Sequence, residues 1–439
     1  MRWSAWWQIL LVWRAHALAQ SNTPTMCQEE SCRCDSFTRV ICNCTNDYNE
    51  MTLRPDGAYR IPPMATAIII NSCSRVIFLS DTIKNLIQLR VVELQNVPYV
   101  IINERSLEWS PSNVDLENSP GIRITIHNST VNEMASHAIR GRVDNIHISN
   151  SRLNIIKPFA FSSLTGVSNV ELSDNDFINI NIQAFKKFTT TNFILRGGSI
   201  KSLPSRFLSD VEVTNRLQIE GVSVQHVSSL AFLVSMPQRV LIDSNVIGIL
   251  ESDAFNITTT GPITFRNNTI TTVRRGAFFG ISALPKVTTI KGPQELLIDN
   301  NTMQEVTPDS LMYNRNSLTL RVDGLNLNVS CSCDLASQWH DMLRENGNIN
   351  CWYSLEGYFI SLPTYVDSRC GVFKQTFWIV VVVSILVLFF IIAIVIFFIV
   401  RRENEKRKKV QIVLPDSKTY RETEFHIVVE RADLLTTDM

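Results

Sequence analysis

The chain has 439 residues and carries 41 lysine and arginine residues against 41 aspartate and glutamate residues, so its formal net charge is zero. This balance gives no global basicity and excludes any compositional argument for a nucleic-acid-binding protein. The length allows two or three domains, but repeated segments cover most of the chain and predict one elongated domain.

Residues 1–19 predict a secretory signal peptide. Arg2 precedes an apolar run at residues 6–13, and small residues at Ala17 and Ala19 suit cleavage before Gln20. The alternative is an uncleaved membrane anchor. That apolar run is, however, too short to cross the roughly 30 Å of a bilayer's hydrocarbon core.

The ten cysteines form two groups, one near each end of the predicted extracellular segment. They are Cys27, Cys32, Cys34, Cys42, Cys44 and Cys73, then Cys331, Cys333, Cys351 and Cys370. Even counts in a secreted segment indicate disulfides, although the sequence alone leaves the connectivity open. Zinc binding is the competing interpretation, and it is weak because thiolates bind zinc mainly in reducing compartments.

An apolar pattern recurs between the two cysteine groups. One unit has Val167, Val170, Leu172, Phe177 and Ile180, with Asn175 between them. Most steps between equivalents of Val170 are 22 to 24 residues, and a step of 33 predicts an inserted loop after Ile263. The series is Ile68, Val92, Val114, Ile146, Val170, Phe193, Leu217, Val240, Ile263, Leu296 and Leu318, with an irregular extra unit at Ile124.

Two further features recur at a fixed phase. The phenylalanines of repeated Ala-Phe pairs can stack into a spine, and asparagine suits a corner where a strand leaves backbone groups unpaired. The pairs are Ala160-Phe161, Ala184-Phe185, Ala231-Phe232, Ala254-Phe255 and Ala277-Phe278. The corner asparagines are Asn175, Asn245, Asn268 and Asn301, with Ser151, Gly198 and Val222 in their place elsewhere.

These residues resemble the pattern L-x-x-L-x-L-x-x-N-x-L of extracellular leucine-rich-repeat proteins with a single-pass type I membrane anchor. The resemblance implies an α/β solenoid of about eleven repeats, with a curved, parallel concave sheet and an irregular convex side. Residues 67–328 would form the repeats, and residues 20–66 and 329–373 would form cysteine caps. A cap is needed because the last coil would otherwise expose its core.

The resemblance also implies a pairing within each cap, first cysteine with third and second with fourth. The implied disulfides are Cys27 to Cys34, Cys32 to Cys42, Cys331 to Cys351 and Cys333 to Cys370. Cys44 and Cys73 depart from the simple cap, and a bond between them would tie the cap to the first repeat. In the C-terminal cap, residues 336–344 predict a short helix with Trp339 and Leu343 at i, i+4 spacing to plug the solenoid.

Residues 374–400 predict a transmembrane helix. Ser384 is the only polar residue between positions 377 and 400, and a helix of that length reaches about 36 Å. The basic block at residues 401–409 then places the C-terminus in the cytoplasm by the positive-inside rule. We therefore expect a single-pass type I protein of the cell membrane, with its N-terminus outside.

The predicted cytoplasmic tail, residues 401–439, is too short for a kinase or a Toll/interleukin-receptor domain, so a signal would require a recruited partner. Glu430, Leu434 and Leu435 fit a pattern that resembles the acidic dileucine sorting signals bound by clathrin adaptors. Residues 437–439 loosely resemble a PDZ ligand, which is captured by strand addition. A disordered tail without either function is the alternative.

Six Asn-x-Ser/Thr sequons lie on the predicted outer side and are candidate glycosylation sites. They are Asn43, Asn128, Asn256, Asn267, Asn300 and Asn328. Asn128, Asn267 and Asn300 share one repeat phase, so their glycans would line one edge of the solenoid, which a ligand would avoid.

The outward positions of the repeat strands predict a protein-binding surface on the concave face. Strand alternation would expose aliphatic residues there, beside a column with charges of both signs. The candidate residues are Ile194, Arg196, Gln218, Leu241, Asp243, Arg266 and Leu297. The competing interpretation is an ordinary solvated face.

No hydrolase or nucleotide-binding motif is found, and we expect no catalytic residue, metal or cofactor. His127, His137 and His147 recur every ten residues, but the repeat phase places them in different segments, so they need not converge. The favoured function is a cell-surface receptor or adhesion protein for an extracellular protein ligand. The runner-up is a co-receptor or scaffold that associates laterally with a membrane protein, and the third alternative is a membrane-bound ectoenzyme.

Overall fold

The structure, a computed structural model, describes residues 25–36, 38–44, 50–57, 59–110, 119–345, 348–370 and 372–409. The chain divides into two units, Met1–Cys370 and Gly371–Met439. The predicted signal peptide lies outside the described residues, as do the sorting motif at Glu430, Leu434 and Leu435 and the C-terminal PDZ-like residues.

The first unit contains a parallel-stranded β-solenoid of about twelve coils. Its strands, numbered β1 to β31 in chain order among the described residues, line three faces. The first face holds β2 (Arg39–Asn43), β4 (Ala67–Asn71), β6 (Val91–Gln95), β9 (Ile122–His127), β11 (Ile139–Ser149), β14 (Val167–Ser173), β16 (Phe185–Arg196), β18 (Leu208–Glu220), β21 (Arg239–Asp243), β24 (Ile263–Arg266), β27 (Gln294–Asp299) and β29 (Leu318–Ser330).

The second face follows the first in each coil and is also parallel. It holds β3 (Glu50–Leu53), β5 (Arg75–Phe78), β7 (Val100–Ile102), β10 (Thr130–Met134), β12 (Arg152–Ile156), β15 (Asp176–Ile180), β17 (Ser199–Leu203), β19 (Ser223–Val227), β22 (Val246–Leu250), β25 (Thr269–Val273) and β28 (Thr302–Glu305).

The third face closes each coil. It holds β8 (Leu107–Trp109), β13 (Phe161–Thr165), β20 (Phe232–Ser235), β23 (Phe255–Thr259) and β26 (Ile281–Ala283), together with the first parts of β11, β16 and β18. The convex side predicted to be irregular therefore carries strands. Alternating apolar residues in the strands of all three faces point into one shared core, so the solenoid is dominated by sheet.

Helices occur in the inserted loop and in the C-terminal cap. They are α1 (Pro285–Lys291), α2 (Cys333–Gln338), α3 (His340–Glu345) and α4 (Leu362–Tyr365), with 3₁₀ turns at Met26–Gln28 and Pro308–Leu311 and a π-turn at Val366–Cys370. The single helix predicted for residues 336–344 is instead split at Trp339, whose backbone leaves the helical region. Trp339 is nevertheless buried, as predicted for a plug.

An antiparallel strand pair closes each end of the solenoid. β1 (Cys32–Asp35) pairs with β2, which already belongs to the first face although it lies in the segment assigned to the cap. At the other end the later part of β29 continues the second face, where it pairs with β28; β30 (Asn348–Tyr353) adds to that part in parallel, and β31 (Tyr358–Ser361) folds back on β30. Four disulfides follow the pairing that the resemblance implied: Cys27–Cys34, Cys32–Cys42, Cys331–Cys351 and Cys333–Cys370. The two cysteines outside that pattern, Cys44 and Cys73, are bonded to each other.

The strand register corrects two predicted repeat positions. Ile124, and not Val114, pairs with Val92, so a second insertion precedes Ile124; Val114 itself lies outside the described residues. Leu320, and not Leu318, pairs with Leu296. A shift of two residues keeps the same side chains pointing inward, so alternation alone could not distinguish the two registers.

The predicted phenylalanine spine is present. Phe161 and Phe185 stack at 4.2 Å between ring centroids, and Phe232 and Phe255 stack at 5.2 Å. Between these pairs Phe207 bridges edge-on, 5.2 Å from Phe185 and 6.0 Å from Phe232. Because its coil carries Phe-Leu where the others carry Ala-Phe, large side-chain volume is kept and the spine is not interrupted.

The predicted corner asparagines form a buried hydrogen-bonded ladder. The side chain of Asn268 donates to the backbone oxygen of Ile242 at 2.9 Å, and its Oδ1 accepts the backbone N–H of Asn245 at 3.0 Å. Asn301 repeats the arrangement one coil later, donating to Phe265. Each amide therefore satisfies backbone groups that the turn leaves unpaired in the core.

The second unit contains one long helix, α5 (Val372–Lys409). Its segment Phe377–Arg407 is long and apolar enough to cross a membrane, with a mean hydropathy of 3.7 over its most apolar window. None of that window is buried in the structure.

Candidate protein-binding face

The side chains on the outside of the first face lie in rows that cross the coils. One row, which we call the apolar row, consists of Ile194, Gln218, Leu241, Thr264 and Leu297 on successive strands. Parallel strands lie about 4.8 Å apart, so its three aliphatic side chains recur about every 10 Å. The register thus brings together three residues that the sequence places far apart.

The aliphatic residues of the apolar row are less exposed than predicted. Ile194, Leu241 and Leu297 are half-buried, and Gln218 between the first two is only 5% exposed. The cause is lateral crowding, because neighbouring side chains of a parallel sheet stand in register against each other. The row is therefore a shallow, partly covered apolar strip.

A second row, which we call the charged row, lies two residues further along the same strands. Arg196 on β16 and Glu220 on β18 form an ion pair at 3.3 Å. Asp243 on β21 and Arg266 on β24 form another at 2.6 Å. Charges of opposite sign thus neutralise each other in pairs along the row.

Asp243 is buried, although the sequence predicted an accessible ligand-binding residue. It is 3% exposed and accepts hydrogen bonds from Arg266, from Ser244 at 2.9 Å and from Asn267 at 3.3 Å. Burial alone would raise the pKa of the Asp243 carboxyl, but these hydrogen bonds and the Arg266 charge outweigh it and hold the pKa below its ordinary value. Arg266 remains exposed and is the accessible member of this pair.

Hydrogen bonds join the two rows. Gln218 donates to Glu220 at 2.6 Å and accepts from Arg216 at 3.3 Å. Glu220 in turn pairs with Arg196. These contacts fix the polar side chains beside the aliphatic strip, so less side-chain entropy would be lost on binding.

The three histidines do not converge. His127 lies 3.0 Å from the hydroxyl of Ser149, and His147 lies 3.5 Å from Glu171 on the first face. His137, in a connecting segment, lies 2.8 Å from the hydroxyl of Ser162. Among the described residues, no group of three or more His, Cys, Asp or Glu side chains is placed to hold a metal ion.

Four sequon asparagines lie exposed where the first face turns into the second. Asn128 donates to Asn96 at 2.6 Å, and Asn300 donates to Asn267 at 2.9 Å. An amide that carries a glycan keeps one N–H, so these bonds are compatible with modification. Asn43 lies in the same exposed ladder, through Asn71. Asn256 is half-buried on the third face and Asn328 is exposed on β29.

Sequence reasoning missed a groove of about 720 Å³ on the third face, lined in part by Lys187, Asp210 and Glu212. Strand bulges accompany it, because Ser163, Lys187 and Asp210 in successive coils have positive φ. These three residues share only their polarity, which is common to many exposed positions, so the residue pattern does not mark the bulges.

Comparison with known proteins gives no relative from which function could be carried over. The chain matches no protein-family model, and no curated protein matches it.

Proposed function

We propose that the chain is a cell-surface leucine-rich-repeat protein, of the α/β class that this family implies, which binds an extracellular protein ligand through its first face and performs no catalysis. The observation that carries the proposal is the apolar row beside the charged row. Three half-buried aliphatic side chains, about 10 Å apart, border fixed charges of both signs.

The dimensions of this surface suit a protein partner. The aliphatic side chains from Ile194 to Leu297 span about 19 Å. This length fits within the apolar centre of a standard interface, in which each partner buries about 800 Å². Exposed Arg196 and Arg266 stand at its border, and arginine is enriched where binding energy concentrates. Small molecules, by contrast, favour concave pockets that enclose them.

The proposed location is the cell membrane, in single-pass type I orientation. The apolar segment of α5 supports a bilayer span, and the disulfides at both ends of the solenoid support an oxidising, extracellular environment. Arg401, Arg402, Lys406 and Arg407 at the end of the span support a cytoplasmic C-terminus. A clathrin adaptor or a PDZ domain would then be the cytoplasmic partner.

Glycans at the sequons would leave the middle of the first face open. Asn43 and Asn128 lie toward its N-terminal end, and Asn267 and Asn300 toward its C-terminal end. The part of the rows from Ile194 to Leu241 lies between these two groups, whereas Arg266 and Leu297 lie on the strands that end just before Asn267 and Asn300. A protein ligand could therefore approach there without displacing glycans.

The proposal is tested by displaying the full chain on cells and probing it with tagged multimers of secreted and cell-surface ectodomains. For each binder, Leu241→Glu should weaken binding at least tenfold, because a charge replaces an aliphatic contact. The matched control is Ile178→Glu, since Ile178 is an aliphatic residue that is 40% exposed on the second face.

Loss of binding in both variants, or in neither, would contradict the assignment of the ligand to the first face. Soluble binders would support a receptor, and binders restricted to integral membrane proteins would support a co-receptor or scaffold. Surface display and thermal stability of each variant must match those of the unaltered chain.

A further inference from the structure

The hairpin of the C-terminal cap exposes an unusual cluster of aromatic and aliphatic side chains. The eight residues from Trp352 to Phe359 include four aromatic residues, counting both ends, whereas aromatic residues make up 9% of the whole sequence. At the tip, Leu355 is 76% exposed and Tyr358 is 49% exposed. No packing within the described first unit covers these two side chains.

The hairpin is held in a fixed shape. Trp352 and Phe359 meet edge-on at 5.1 Å across the paired strands β30 and β31, and Cys351 at the base of the hairpin is bonded to Cys331. Gly357, at φ +72°, allows the tight turn that carries Leu355. The exposed tip is therefore an ordered surface and not a loose loop.

The hairpin also contacts the residues from which the chain leaves this unit. Tyr353 accepts a hydrogen bond from Arg369 at 2.9 Å, and its ring lies 6.3 Å from that of Tyr365. Cys370 follows Arg369 and is bonded to Cys333 in the cap. Two residues after Cys370, α5 begins at Val372, and its apolar span begins at Phe377.

We propose that the tip of this hairpin, Leu355 with Tyr358, inserts into the headgroup region of the bilayer that α5 crosses. From Val372 to Phe377 a helix rises only about 8 Å, so only a short stretch of chain separates Arg369 from the headgroup layer. Tyrosine and tryptophan are enriched at that depth because one end of each side chain is apolar and the other is polar. The inference rests on the proposed membrane span, but not on the proposed ligand.

Contact with lipid would hold the solenoid at a second point besides the helix. The hydroxyl of Tyr358 and the carboxylate of Glu356 interact at the tip, which raises the pKa of Tyr358 through their hydrogen bond. A neutral tyrosine and a wetted carboxylate both suit the headgroup layer, whereas Leu355 would reach the first acyl carbons.

The test uses the full chain in phosphatidylcholine nanodiscs that contain lipid spin-labelled at the headgroup, with tryptophan fluorescence as the readout. The parent carries Trp378→Phe, which removes the tryptophan of α5, and it receives either Leu355→Trp or Met64→Trp. Met64 is the matched control because it is 60% exposed and precedes β4 at the other end of the solenoid. We expect the labelled lipid to quench about half of the fluorescence added at position 355 and to leave that at position 64 unchanged.

Equal fluorescence changes at positions 355 and 64 would overturn the proposed lipid contact. The fluorescence of Trp378 in the unaltered chain tests the membrane span separately from the hairpin contact. If α5 spans the bilayer, lipid that is spin-labelled in its acyl chain must quench that fluorescence. Quenching of Trp378 without quenching at position 355 rejects the hairpin contact alone. No quenching of Trp378 rejects the membrane span and the hairpin contact together.

Discussion

Asn268 donates a hydrogen bond from its side-chain amide to Oδ1 of Asn301 on the next coil at 2.8 Å, and the same oxygen accepts the backbone N–H of Asn268 at 2.9 Å. Both side chains are buried. A single amide thus satisfies two donors of the preceding coil, and repetition of this bond couples the coils at one corner.

Replacement of Asn268 by alanine should lower the free energy of unfolding by about 2–4 kcal/mol, because the backbone groups of Asn245 and Ile242 lose their partner inside the core. Urea denaturation of the detergent-solubilised chain measures the loss. The control is Asn215→Ala, since Asn215 is exposed and ends a second amide ladder through Asn192. Asn215→Ala should lower the free energy of unfolding by no more than about 0.5 kcal/mol. Equal decreases in the two variants would refute the structural role of the buried ladder.

The phenylalanine spine predicts that two adjacent phenylalanines contribute very differently to the stability of the fold. Phe278 is fully buried, 5.0 Å from Phe265, whereas Phe279 is 52% exposed. Phe278→Ala should cost about 3–5 kcal/mol through lost burial and the cavity left behind. Phe279→Ala should change stability by less than about 0.5 kcal/mol. Similar values for the two, measured in the same urea titration, would show that the spine does not form as described.

Gly198 occupies the corner position that asparagine holds in other coils, and its backbone has φ +75°. A Cβ there would collide with the backbone of Asn175, whereas a Cβ at Gly221, at φ +65°, would meet nothing closer than 3.9 Å. Gly221→Ala should therefore cost about 1–2 kcal/mol from backbone conformation alone. Gly198→Ala should cost clearly more, and a ranking reversed in thermal unfolding would contradict the corner geometry.

Asp243 predicts how stability changes in acid. Its pKa is lower in the fold than in the unfolded chain, so protonation favours unfolding. The stabilisation is complete above the ordinary aspartate pKa of about 3.9 and is lost as the pH falls toward the folded value. Asp243→Asn should be less stable than the unaltered chain at pH 7, and this difference should narrow below about pH 4. A difference that is constant from pH 7 to pH 3 would contradict the predicted effect.

Much of the solenoid could be predicted because its signals are local and repeated. The Val170 phase, the Ala-Phe pairs and the corner asparagines each mark one inward position, and all three reappear in the register. The assignment of Val114 to the repeat position after Val92 was wrong because an insertion displaced the repeat. The apolar residue at the expected distance is therefore not the one that pairs with Val92. A fixed period cannot reveal which coil carries extra residues.

The binding face was harder to predict than the core. Alternation correctly assigned Ile194 and Leu241 to the outer side, but exposure depends on neighbours that are about 23 residues away in sequence. Gln218 and Asp243 became buried because Arg216, Glu220 and Arg266 reach across them from their own and adjacent strands. Such coverage is set by rotamers and ion pairs, which the pattern of apolar residues does not encode.

The most direct test of the proposed binding face is a glycan placed on it. Glu171→Asn creates a sequon with Leu172 and Ser173 beside Ile194 on the first face, and His226→Asn creates one with Val227 and Ser228 on the second face. Each is a single substitution of a partly exposed residue. A mobility shift that is reversed by peptide-N-glycosidase confirms that the new site is used.

The measurement is binding of the ectodomain partner to cells that display each glycosylated variant at equal surface density. We expect the glycan at position 171 to abolish binding and the glycan at position 226 to leave binding unchanged. Full binding with a glycan at position 171, or loss of binding only with a glycan at position 226, would contradict a ligand site on the first face.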